Sequence, residues 1–340
     1  MHTLTQQELA QHLSQTVVHQ ELAIAKLSQA LSFPPSRFQL KPAPIAGFMF
    51  IGPPYCGKKT MARALSKQLF QRESVLYYAD AAPHYMQLAD IPLQHTEDYH
   101  YHSIAEVIQS TPHAIIVFEE CERLSGPVLH ELQLILNTGH WKDCKTTYDF
   151  RQAMLIFNTT LGSQHFSNKD AVLDAENHAA YFTRLLTEPQ EAPHHVKESA
   201  VMETLRNVIL PELASLFPQK FYCATHLIPF LPLDHSGIEK VIRLRLKTLD
   251  KTLQTHHDVT LGYAPEVLRY LFNEAVTKQA FHTTLIHPEK IFAPLYACLE
   301  QALQTLPAQQ SKKIFLQMHE AGHRLQFHWV PGSTSAKGVT

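Results

Sequence analysis

The chain has 340 residues, 45% of them hydrophobic and 18% charged, with a formal net charge of -2. That balance supplies a sizeable core for one large or two medium domains, and no overall charge that would draw nucleic acid or an anionic membrane. The polar opening MHTLTQQELAQHL lacks the apolar core of a signal peptide, no apolar run is long enough to span a bilayer, and the five scattered cysteines form no CxxC pair, so reduced thiols in the cytoplasm are expected.

The first strong element is an apolar run at 47–51, followed by FIGPPYCGKKT. Gly52, four residues, Gly57 and Lys58 follow the spacing of a phosphate-binding loop, whose next position asks for Ser or Thr; Lys59 stands there, with Thr60 after it. Met61, Ala64, Leu65 and Leu69 then recur at helical spacing, which predicts a helix over 61–70. Strand, glycine turn and helix N-terminus is the order that aims backbone N–H groups at a phosphate. The plainer reading is a strand–turn–helix with a chance lysine, and the rest of the chain weighs against it.

A second apolar run lies at 75–79 and a third at 114–118. Between them the string QHTEDYHYH carries His95, Glu97, Asp98, His100 and His102, which reads as a solvated loop rather than a metal site. The third run ends in two acids, Glu119 and Glu120, the form of a Walker B strand: the first acid holds Mg²⁺ and the second polarises the attacking water. Gly126-Pro127 opens a helix over 128–136, and further apolar runs follow at 153–157 and 227–231. Five continuous apolar runs alternating with helices predict a parallel sheet buried on both faces, an α/β fold.

Residues 166–199 are polar and broken by Pro189 and Pro193, and are expected to be a mobile excursion. After Pro232 the character changes to amphipathic helices over 236–253, 265–275 and 288–303. Alternating Ile314, Leu316 and Met318, then Leu325, Phe327 and Trp329 around Gly322 predict a β-hairpin, and 331–340 a disordered tail. The hairpin contains HEAGH, His319 to His323, which matches the zinc-protease HExxH pattern. That chemistry needs both histidines on one helical turn and a third ligand; the strand-like flanks and short remainder argue against it. The expected domains are 1–232, 233–330 and the tail.

In this order the motifs resemble those of the AAA+ ATPases of the Clp disaggregase type, in their second ATPase module. VVHQELAIAKLSQAL, PIAGFMFIGPPYCGKKTMARALSKQLF, HAIIVFEECERLSGPVLHELQLILNTGHW and DFRQAMLIFNTTLGS each have a counterpart there. FPQKFYCATHLIPFLPL is most similar to the ClpV unfoldases of type VI secretion. The resemblance covers most of 12–300. It implies an AAA+ P-loop NTPase fold: a five-stranded parallel sheet between helices, then a smaller helical lid with a C-terminal hairpin. It also implies ATP or ADP as cofactor, bound by Gly52, Gly57, Lys58, Lys59 and Thr60. In an active member Glu119, Glu120 and Thr160 would be catalytic. Because the chain starts just ahead of this module, the family's N-terminal domain and first ring are expected to be absent.

The departures from the family point one way. Lys59 replaces the Mg²⁺-ligating hydroxyl, Glu119 the Walker B Asp, and Thr160 the sensor-1 Asn. Ala224 falls at the arginine finger, and no Arg lies between Arg269 and Arg324, so His282 or Thr283 stands nearest the lid arginine. The pore loop near 94–99 has no glycine, with Tyr99 and Tyr101 its available aromatics. A module that binds nucleotide with little hydrolysis and without Mg²⁺ is expected. It would act as a scaffold or regulator among Clp-type or type VI secretion proteins, as a monomer or a subunit of a larger assembly rather than a hexamer. The alternative is a weak but active ATP-dependent unfoldase in which Thr60 and Glu119 stand in for the missing ligands.

Overall fold

A computed structural model describes residues 5–32, 46–71, 75–97, 100–143, 146–163, 198–233, 235–277, 288–305, 312–319 and 325–330. The excursion before residue 198, Asp98 and Tyr99 of the pore-loop stretch, the lid-arginine positions 282 and 283, residues 320–324 of the HExxH match and the tail 331–340 lie outside them. The chain separates into two compact units, one ending at Pro232 and one running from Leu233.

In the first unit the five apolar runs are strands. They are β1 (Ala46–Ile51), β2 (Leu76–Asp80), β5 (Ile115–Glu119), β8 (Met154–Thr159) and β9 (His226–Pro229). All five are parallel, in the order β2-β5-β8-β1-β9. Their continuous apolar character has a direct cause, since successive side chains of a strand face opposite sides. Phe48 and Phe50 of β1 enter one core with Leu13, Leu27, Leu65 and Val117. Met49 and Ile51 enter the other with Phe118, Leu132, Phe157 and Phe221. Helices α1 (Gln6–Thr16), α2 (Glu21–Ser32) and α3 (Lys58–Phe70) contribute to the first core, and α4 (Ile104–Ser110) and α5 (Gly126–Thr138) to the second.

Two short strands extend the expected five-stranded sheet to seven. β3 (Leu93–His95) pairs antiparallel with β2, and β4 (Tyr101–His102) with β3. They fall in the stretch read from sequence as a solvated pore loop. At three and two residues they have no run long enough to signal a strand. His95 is buried, its ring 4.9 Å from that of Tyr77, while Tyr101 is 67% exposed. Among the described residues no group of three or more His, Cys, Asp or Glu side chains is placed to hold a metal. A separate polar hairpin, β6 (His140–Asp143) with β7 (Thr146–Asp149), follows α5.

The second unit has helices at His235–His257, Pro265–Thr277 and Pro288–Gln304, within one to four residues of the predicted ends. The C-terminal hairpin is present: β11 (Lys312–Met318) pairs antiparallel with β12 (Leu325–Val330). The HExxH segment therefore falls between two strands. β10 (Val259–Tyr263) adds a third, parallel to β11. Leu246, Phe272, Leu295, Ile314 and Leu316 form its core. No helix among the described residues is long and apolar enough to cross a membrane.

Candidate functional site

The parallel strands β1, β5 and β8 present their carboxyl ends side by side, the edge at which open α/β sheets bind ligands. The loop leaves β1 at Gly52 and enters α3 at Lys58. Gly57 caps the helix in the left-handed region, at φ 107°, which a side chain would strain. Lys58 is 8% exposed and folds back over the loop, its Nζ donating to Gly52 O and, at 2.8 Å, to Pro53 O. Burial holds its pKa below the usual lysine range, against the opposing pull of Cys56, Glu119 and Glu122. Cys56 donates its thiol to Pro53 O at 2.9 Å, and burial pushes that thiol up.

Lys59 points its ammonium at the Walker B position. Its Nζ lies 3.7 Å from Glu119 Oε1 and 5.3 Å from the centre of the Tyr78 ring. The same Oε1 accepts from Asn158 Nδ2 at 2.9 Å. Burial raises the Glu119 pKa, and Lys59 and then Asn158 oppose that rise. Glu120 sits in the left-handed region at φ 48° and turns its carboxylate to Arg123, whose Nη1 donates to it at 2.6 Å. Thr160 donates to Glu122 Oε1 from both its backbone N–H, at 3.2 Å, and its hydroxyl, at 2.9 Å. Ala224 follows the short helix Gln219–Tyr222 and packs against the core beside it. Thr60 is exposed on α3.

The structure thus brings Gly52, Gly57, Lys58, Lys59 and Glu119 together, and adjoins three residues that the sequence did not single out: Asn158, Glu122 and Arg123. Asn158 precedes Thr160 by two along the same chain direction, so strand alternation alone placed it on the same face. Mg²⁺ fits this set poorly. It demands oxygen ligands in near-octahedral geometry. The first-acid oxygen here already receives an amide and faces an ammonium. Thr60, one residue on, is exposed, its side chain turned by about 100° from that of Lys59.

A further sequence-distant residue supports the loop. Gln20, at the start of α2 and 2% exposed, donates to Cys56 O at 3.0 Å and Leu231 O at 2.8 Å, and its Oε1 accepts from Leu231 N at 3.0 Å. It ties the loop to the chain just after β9. Gln20→Ala leaves one buried and two part-buried groups without this partner and is expected to lower stability by about 3 kcal/mol in urea unfolding. An unchanged midpoint would show that solvent replaces all three bonds.

The AAA domain family (Cdc48 subfamily) matches residues 43–219. Chaperone protein ClpB of Yersinia enterocolitica is 25% identical over 268 residues, which is 77% of this chain and 27% of that protein. ClpB of Porphyromonas gingivalis is 26% identical over 277 residues, 80% of this chain and 30% of its own length. The ATP-dependent Clp protease ATP-binding subunit ClpA homolog of Trieres chinensis is 26% identical over 274 residues, 77% and 31% respectively. The chain spans under a third of the length of these relatives.

Proposed function

The chain belongs to the AAA domain family, Cdc48 subfamily, and from that premise we propose that it is a Clp-type module that holds ATP or ADP at the loop 52–60, turns it over little or not at all, and serves protein partners as a scaffold or regulator. Its likeness to ClpB and ClpA relatives makes it a Clp-type, chaperone-like AAA+ module. One observation carries the finer reading. Each residue that would catalyse hydrolysis is already engaged by another side chain: Glu119 by Lys59 and Asn158, Glu120 by Arg123, and Thr160 by Glu122. The ligand-holding part is intact by contrast, with a strand, a tight loop, a buried lysine and the first turn of a 13-residue helix.

Ala224 at the arginine-finger position supports the same reading, since an arginine supplied in trans is worth about 10³–10⁵ in rate. It also favours a monomer or a subunit of a larger assembly over a hexamer built on that finger. The resemblance of residues 217–233 to ClpV supports a place among type VI secretion components, and the scattered thiols support the cytoplasm. Phosphate release from ATP is expected to stay below ~10⁻² s⁻¹ and to be unchanged by Glu120→Gln.

A weak but active unfoldase is the second reading. It is favoured by the exposure of the Glu120–Arg123 pair, with both side chains more than half exposed. Such a pair is worth only about 0–1 kcal/mol and opens readily. Turnover that Glu120→Gln abolishes would establish this reading in place of the first.

A further inference from the structure

We propose that the Lys59 ammonium takes the place of the divalent cation in this site, so that the loop binds a nucleoside di- or triphosphate without metal and needs Lys59 to do so. The inference rests on the nucleotide reading above and adds what neutralises the phosphates.

In a phosphate-binding loop the residue after the lysine normally offers a hydroxyl to Mg²⁺, and the acid ending the neighbouring strand faces the same ion. Here the residue after Lys58 and the acid at the end of β5 meet each other directly, Nζ to Oε1 at 3.7 Å. The positive charge therefore sits between the same two positions. It has further neighbours there. The Tyr78 ring lies under the ammonium at 5.3 Å, and Asn158 donates to the carboxylate from the neighbouring strand β8 at 2.9 Å.

A further feature suits an anionic occupant. Lys58 and Lys59 open α3 and both ammonium groups act on Glu119, so two positive charges and the helix's N–H groups lie near one acid. Asn158 is 2% exposed, and its Oδ1 has no hydrogen-bond partner among the described residues. As an acceptor that atom takes a hydrogen bond from water or another donor and offers none to a phosphate oxygen. The acids set the limit on what a metal could add. Glu119 is shared already, and a dication beside the ammonium meets repulsion that displacement of Lys59 relieves.

The test is calorimetric titration of the full chain with ATP and with ADP, once in EDTA and once in excess Mg²⁺. The wild type is expected to bind with dissociation constants that differ by less than about threefold between the two conditions. Lys59→Thr restores the hydroxyl and removes the charge. It is expected to weaken binding in EDTA by ~tenfold or more, with Mg²⁺ recovering most of the loss. Lys59→Met is expected to be weak in both. Wild-type binding that requires Mg²⁺ overturns the inference and leaves the nucleotide reading standing. Absence of binding in either condition overturns both. Equal affinity of Lys59→Met and wild type in EDTA also overturns the inference, since the charge would then be idle. Lys59 is 61% exposed at its side chain, so the variants are expected to fold, which circular dichroism checks.

Discussion

Lys58→Met is expected to weaken ATP and ADP binding by ~hundredfold or more, while the protein stays folded with a stability near that of the wild type. The two halves of this result come from one geometry. The Lys58 ammonium is 8% exposed and capped by the loop carbonyls of Gly52 and Pro53. A bound phosphate would draw it from neutral oxygens to charged ones, an exchange that gains most where water is excluded. Without ligand the gain is small, because the hydrogen bonds are set against the burial of a charge. The alkaline behaviour tests that balance independently. Burial lowers the Lys58 pKa from 10.5 in the folded state, so between the lowered value and 10.5 the unfolded chain holds more protons. Stability therefore rises with pH across that window, and the contribution is lost as pH falls through the folded value. Lys58→Met should lack this rise in urea unfolding followed over the same range. Retained nucleotide affinity in Lys58→Met would remove the loop lysine from the site.

The parallel core was legible in the sequence because its chemistry is local. Runs such as AGFMFI are apolar at every position, as a strand buried on both faces requires, and helices α3 and α5 announced themselves by spacing and by Gly126-Pro127. The edge strands β3 and β4 were not legible, since QHTEDYHYH has neither length nor alternation. β10 was missed for a related reason: VTLGY is short, and its place is set by pairing with β11 about fifty residues later. The site divides in the same way. Gly52, Gly57, Lys58 and Lys59 lie in one short string. What engages the candidate catalytic residues and supports the loop does not: Asn158 reaches Glu119 across 39 positions, Thr160 reaches Glu122 across 38, and Gln20 reaches Leu231 across 211. Only the Glu120–Arg123 pair is local, and its geometry depends on the left-handed turn at Glu120, which no residue type there foretold. Sequence therefore marked the loop residues as a group and said little about what engages the acids opposite them.

Gly52→Ala is expected to cost about 3 kcal/mol or more in urea unfolding and to abolish nucleotide binding, from the addition of one methyl group. A Cβ at position 52 would lie 2.3 Å from Phe230 O and 2.8 Å from Phe230 Cβ. Neither obstacle is the free end of a flexible side chain. Phe230 N donates to Ile51 O at 2.7 Å, its ring packs 5.0 Å from that of Phe50, and the next residue is held by Gln20. Gly52 is fixed from the other side, its N–H donating to Thr159 O at 3.2 Å. Relief then requires β1 and the chain after β9 to separate, and that separation would carry the loop carbonyls away from Lys58. Gly126→Ala supplies the contrast. Nothing lies within 4 Å of the added Cβ there, and the residue begins α5, so stability should change little or rise by about 0.5–1 kcal/mol. If the two alanine variants unfold at the same urea concentration, the close approach of β1 to Phe230 is not what holds the loop in place. If Gly52→Ala alone is destabilised and also loses nucleotide, the loop's geometry and its ligand share one constraint, set where the first strand of the sheet meets the last.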